Sequence, residues 1–128
     1  MGTKFKIDQD PTFDKTVGID RAGGSKIDVG FVFKYRIQSE VAAMTDEWGE
    51  RRRKAAEEHE GKEGTVSSFV SVRIGLEIEE LKDIIVAWDF DDPVNDGSIR
   101  RLVESVQTAR DAIVNAYFAG LNPARLGN

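Results

Sequence analysis

The early part of the chain alternates between apolar and polar side chains. Apolar residues take every second position between residues 27 and 37: Ile27, Val29, Phe31, Phe33, Tyr35 and Ile37. Strict alternation is typical of a strand with one face in a core and the other in water. Shorter alternations around Phe5 and Ile7, and around Val17 and Ile19, predict two further strands.

These strands predict a small antiparallel sheet, a hairpin or meander, over residues 4–37. Gly23-Gly24 separates the last two strands and can adopt the positive φ that a hairpin turn requires. A sheet of this size cannot stand alone, because its apolar face needs helices to cover it.

Residues 76–88, LEIEELKDIIVAW, carry the helical period instead. One side of the predicted helix is apolar and ends at Trp88, whereas the other side carries Glu79, Glu80, Lys82 and Asp83. An acidic turn, DFDDPVND, then stops the helix. Residues 66–75 stay open between strand and helix, because Val70, Val72 and Ile74 alternate while Ile74 also fits the helical spacing.

Helices fill the rest of residues 39–121. Ser39 is predicted to cap a helix that begins at Glu40, and its later part, GERRRKAAEEHEGKEG, is predicted to be a solvated helix that frays toward Gly61 and Gly64. After the acidic turn, Asp96 or Ser98 is expected to cap a short helix. Four helices in all give an α+β fold.

The last helix is predicted from Ala109 to about Leu121, opened by a Thr108-x-x-Asp111 capping box. Its main apolar face is extended by a second strip: Val114, Phe118 and Leu121 fall among polar residues. A helix that is apolar nearly all round is either central to its fold or covered by a partner. The strip is therefore either buried under the sheet or a candidate partner-binding surface.

Composition excludes several kinds of chemistry. The chain has 128 residues, a formal net charge of −5 and no cysteine, so disulfides, thiolate metal sites and cysteine nucleophiles are ruled out. The acidic balance makes free nucleic acid a poor partner, and no segment is apolar and long enough to span a membrane. His59 is the only histidine, and no motif links it to a triad or a zinc site.

The acidic turn does not match a calcium loop. Counted from Asp89, the sixth position is Val94 and the twelfth is Arg100, where an EF-hand needs glycine and glutamate. No cofactor, metal or catalytic residue is therefore predicted, and a helix stop followed by an N-cap is the expected role of this turn.

The segments IIVAWDFDDPVND and IRRLVESVQTARDAIVNAYFAGL, with the ending ARLGN, resemble the tail assembly chaperones of long-tailed phages and prophages. The sheet whose last strand, FVFKYRI, runs into a helix is similar to that family as well. The resemblance implies a non-enzymatic protein that keeps the apolar, helical tape measure protein soluble. It also implies a place in the host cytoplasm and absence from the mature virion.

The sequence therefore predicts one α+β domain over residues 1–128, with a sheet part at 4–37, a helical part at 39–121 and a tail at 122–128. A homo-oligomer stays open. The alternatives to a chaperone are a structural tail component, such as a tube or completion protein, and a small acidic metal-binding or enzymatic domain. The latter would draw on Asp89, Asp91 and Asp92.

Overall fold

The computed structural model describes residues 2–62 and 64–123 and confirms an α+β fold with a small antiparallel sheet and four helices. In chain order the elements are β1 (Thr12–Asp20), β2 (Lys26–Lys34), α1 (Gln38–His59), α2 (Val66–Ile84), β3 (Ile85–Trp88), α3 (Asp96–Ser105) and α4 (Ala109–Leu121). The sheet order is β1-β2-β3.

The predicted hairpin is confirmed. Strands β1 and β2 pair along their whole length, from Thr12 opposite Lys34 to Asp20 opposite Lys26. Gly23 and Gly24 form the turn with φ values of 94° and 99°, in the left-handed region that glycine tolerates best.

The strand predicted around Phe5 and Ile7 is wrong. Residues 2–11 contain no strand, and the two side chains are 87% and 96% exposed. The alternation here offers only two apolar residues, which is too little buried area to hold a further strand against the core.

The third strand comes from a segment predicted to be helical. Helix α2 ends at Ile84, and β3 pairs antiparallel with β2, with Phe31 opposite Trp88 and Phe33 opposite Ile85. The β-branched run at residues 84–86 suits a pleated strand, and β2 offers it a free edge. The prediction that Trp88 ends the helix is therefore corrected, and its ring packs edge-on against Phe31 with centroids 6.0 Å apart.

Residues 66–75, left open by the sequence, are helical. Helix α2 begins at Val66 because Thr65 and Ser68 cap it reciprocally: the Ser68 N–H donates to Thr65 Oγ1 at 3.1 Å, and the Thr65 N–H donates to Ser68 Oγ at 3.0 Å. Further along, Glu80 was predicted to face water, but it is only 1% exposed.

Three predicted caps are wrong. Helix α1 is capped by Ile37 rather than Ser39, and the Ile37 N–H donates to Glu40 Oε1 at 3.1 Å. Asn95, not Asp96 or Ser98, caps α3 by accepting from the Ser98 N–H at 2.9 Å. Thr108 precedes α4, but its hydroxyl donates to Asp20 Oδ2 at 2.6 Å and ties the helix start to β1. The extent of α4 itself is as predicted.

The core lies between the inner face of the sheet and helices α2, α3 and α4. Phe33 and Tyr117 are fully buried and meet edge-on, with ring centroids 5.4 Å apart, and Phe13 stacks on Tyr117 at 5.8 Å. The Tyr117 hydroxyl donates to the Lys34 carbonyl at 2.9 Å, so its one buried polar group is satisfied. The remaining fully buried apolar side chains are Ile19, Leu81, Ile84, Ala109, Ile99 and Ile113.

Candidate functional site

Helix α1 is joined to the rest of the molecule mainly through polar side chains. Only Met44 and Trp48 of its 22 residues are buried. Beyond them, Arg52 donates to the buried carboxylate of Glu80 through Nε at 2.9 Å and Nη2 at 2.8 Å. Arg110 of α4 donates to the same carboxylate at 2.9 Å, so Glu80 connects three helices.

A second set of polar contacts lies one turn away. Trp48 Nε1 donates to Asp83 Oδ2 at 2.8 Å, and Arg51 Nη1 donates to the same oxygen at 3.1 Å. The predicted solvated face is therefore only partly solvated, since Arg51 and Arg52 both reach α2. Of the three consecutive arginines, Arg53 is the one that pairs within α1 alone, with Glu50 and Glu57.

An open apolar groove of about 410 Å³ runs between α1 and α2 beyond these ion pairs. Its floor and walls are Ala55, Ala56, Phe69, Val72 and Leu76. Phe69 remains 58% exposed, although its ring lies over the backbone of Gly64. The three ionisable residues that line the groove are Arg52, His59 and Arg73, and none of its lining residues is acidic.

Arg73 is incompletely paired at the edge of this groove. Its Nε lies 3.5 Å from Glu77 Oε2 and, within the described residues, this buried nitrogen has no hydrogen-bond partner. Burial raises the pKa of Glu77 above its ordinary value, and the positive charges of Arg73 and Arg110 oppose that rise.

The strip predicted on α4 is mostly covered. Val114 is only 5% exposed and belongs to the core, whereas Phe118 and Leu121 are partly buried and pack against it. The Phe118 ring meets Trp48 of α1 edge-on, with centroids 6.5 Å apart. Val114 is thus outside the accessible surface, and a partner-binding role for Phe118 and Leu121 stays a prediction.

The arrangement is that of a binding surface without a reaction centre: apolar side chains line an open groove, and charged groups hold its walls. The sequence model of the phage tail assembly chaperones matches residues 1–128, the whole chain. The chain belongs to this family. No curated protein and no solved structure is significantly similar to the chaperone. None of its helices within residues 2–62 and 64–123 is long and apolar enough to cross a membrane.

The acidic turn of the chaperone is held by its own chain. Trp88 Nε1 donates to the Asp92 carbonyl at 2.7 Å, Arg101 pairs with the Asp92 carboxylate at 3.0 Å, and Ser98 Oγ donates to the Pro93 carbonyl at 2.6 Å. In the part of the chain that the structure describes, no three His, Asp or Glu side chains are placed to hold a metal ion.

The groove of the chaperone was missed by the sequence analysis. Phe69, Val72 and Leu76 follow the i, i+3, i+7 spacing of one helix face, which is a usable signal. A competing alternation through Val70 and Ile74 hid it. The Thr65–Ser68 capping box would have favoured the helix, but it uses serine where glutamate or glutamine is usual.

Proposed function

We propose that this tail assembly chaperone binds the tape measure protein and keeps it soluble while the tail tube forms around it. The observation that best supports the proposal is the open apolar groove between α1 and α2 in a chain that matches the family along its whole length. Exposed apolar grooves bind the apolar faces of helices, which is the surface that a long helical protein presents.

The proposed activity is binding alone, without catalysis. The net charge of −5 would keep a loaded complex dispersed, because like-charged particles repel one another. We place this activity in the host cytoplasm and propose that the chaperone leaves before the virion is complete. Phe118 and Leu121 are the accessible part of the strip that the sequence predicted, and they are a second proposed contact for the same partner.

Co-expression tests this function directly. The tape measure protein of the same tail is produced with and without the chaperone, and its soluble fraction is measured. We expect it to be soluble only in the presence of the chaperone and to elute with it in size-exclusion chromatography. A tape measure protein that stays insoluble with the chaperone at equal or higher level would overturn the proposal.

A structural role in the tail predicts a different outcome. A tube or completion protein is retained in finished particles, whereas the proposed chaperone is not. Mass spectrometry of purified virions should therefore detect the tail tube protein but not this chain, and stoichiometric recovery of the chain would favour the structural role.

A further inference from the structure

We propose that the groove between α1 and α2 binds about two turns of a partner helix whose apolar stripe is flanked by carboxylates. The proposal rests on the proposed function only in identifying the partner as the tape measure protein. It assigns the binding surface to the α1–α2 groove and gives the partner a charge pattern.

The dimensions of the groove fit a helix. Phe69 and Leu76 are seven residues apart on α2, which corresponds to about 10 Å along the helix axis, or two turns. The opposite wall is formed by the small side chains of Ala55 and Ala56, so a third helix can approach closely. Anchors at i, i+3 or i+4, and i+7 would then meet the exposed faces of Phe69 and Val72.

The charges around the groove select the kind of helix. Its ionisable lining residues are basic or histidine, in a protein whose net charge is −5. Arg52 is already bound to Glu80, but Arg73 has only the 3.5 Å contact with Glu77. A carboxylate from a bound helix would give the Arg73 guanidinium the charged partner that the fold supplies poorly.

The chain's own free apolar segment has the wrong charge for this groove. Phe5 and Ile7 are exposed in residues 2–11, but Lys4 and Lys6 flank them. Inserting this segment from a second copy would bring lysines against Arg73 and His59, which is unfavourable. The charge pattern therefore favours a different protein over a second copy of this chain.

Two synthetic helices provide the test. Both are stapled peptides of about 16 residues, long enough to hold a helix, and both carry the same apolar stripe. One has glutamates on both sides of the stripe and the other has lysines. At low salt we expect the glutamate peptide to bind about fivefold to tenfold more tightly in fluorescence anisotropy, because exposed ion pairs each contribute modestly.

Variants connect this preference to the groove. Arg73→Gln should reduce the ratio of the two affinities to about twofold or less. Ala56→Trp should weaken both peptides by filling the groove, with folding verified by circular dichroism. Arg53→Gln is the matched control, because Arg53 lies on the same helix but pairs with Glu50 and Glu57 outside the groove. It should leave both affinities unchanged.

Several results would overturn the inference: equal affinity for the two peptides, no binding of either, a preference for lysine, or undiminished binding by Ala56→Trp. Self-association of the wild-type chain that Ala56→Trp abolishes would assign the groove to a second copy instead. The proposed function fails separately. If Ala56→Trp still keeps the tape measure protein soluble, the function stands and the groove is wrong; if the wild-type chain does not, the function itself is wrong.

Discussion

The two ends of helix α2 are packed in opposite ways. Its C-terminal half buries Ile78, Leu81 and Ile84 in a core completed by Phe33 and Tyr117. Its N-terminal half faces α1 across a groove in which Phe69, Val72 and Leu76 remain at least partly exposed, and that pair of helices is connected by arginine–carboxylate contacts.

This difference shows how a small protein can keep apolar surface available. Apolar packing brings surfaces together until no space is left, and so removes the groove it creates. Ion pairs such as Arg52–Glu80 fix the spacing of two helices by hydrogen-bond geometry instead, without requiring that apolar side chains meet. The α1–α2 pair can therefore be held in place while its groove stays open to a partner.

The strongest test of the comparison lies in the core. Tyr117→Ala should lower the free energy of unfolding by about 3–5 kcal/mol, because it removes a fully buried ring between Phe13 and Phe33. Tyr117→Phe keeps the ring and loses only the hydrogen bond to Lys34, at a cost of about 1 kcal/mol. Urea unfolding followed by circular dichroism measures both. Equal midpoints for Tyr117→Ala and the wild type would show that the core is not where the stability lies.

The polar connection should be the next most sensitive region. Arg52→Gln takes two hydrogen bonds from the buried Glu80 carboxylate, and we expect a loss of about 2 kcal/mol in urea unfolding. The neighbouring Arg53→Gln removes only exposed pairs within α1 and should change stability little. If the two variants lose the same amount, the Glu80 contact does not hold the helices together.

Local patterns in the sequence were enough for much of the fold. The alternation at Val29, Phe31 and Phe33 placed β2 and its buried face, and Gly23-Gly24 placed the hairpin. The bounds of α4 were also predicted correctly. In each of these cases the signal lies within one element and its immediate flanks, so tertiary contacts had nothing to override.

The errors share a different cause, which is that the outcome depended on distant partners. Residues 85–88 fit the period of the preceding helix, but the free edge of β2 pairs with them as β3. Glu80 looked like a solvent-facing residue until Arg52 and Arg110, far away in sequence, surrounded it. The groove needs both α1 and α2, so no single segment could reveal it; the α4 strip was visible, but whether it was covered was not.

The groove edge should show its own pH dependence. Burial raises the pKa of Glu77 above its ordinary value of 4.5, so the native state holds this proton more tightly than the unfolded chain does. The contribution of Glu77 to stability is thus full below the unfolded pKa and declines as the pH rises through the folded pKa. Glu77→Gln stays neutral throughout, so its stability relative to the wild type should rise between about pH 4 and pH 7.

The control for this prediction is Glu79→Gln, which lies on the exposed side of the same helix. Its stability relative to the wild type should change much less over the same range, as measured by thermal unfolding at each pH. A relative stability of Glu77→Gln that falls with rising pH would mean that the ion pair with Arg73 outweighs burial.

The smallest effect is expected in the groove itself, and it tests the comparison most sharply. Phe69→Ser removes an aromatic ring, as Tyr117→Ala does, but from a side chain that is 58% exposed. We expect the free energy of unfolding to stay within about 0.5 kcal/mol of the wild type, because surface substitutions away from buried networks rarely cost more. Binding of the glutamate peptide should be lost nonetheless. A loss of stability that approaches the core value would mean that Phe69 supports the fold, and the groove would then be a loosely packed part of the core with no apolar surface to offer a partner.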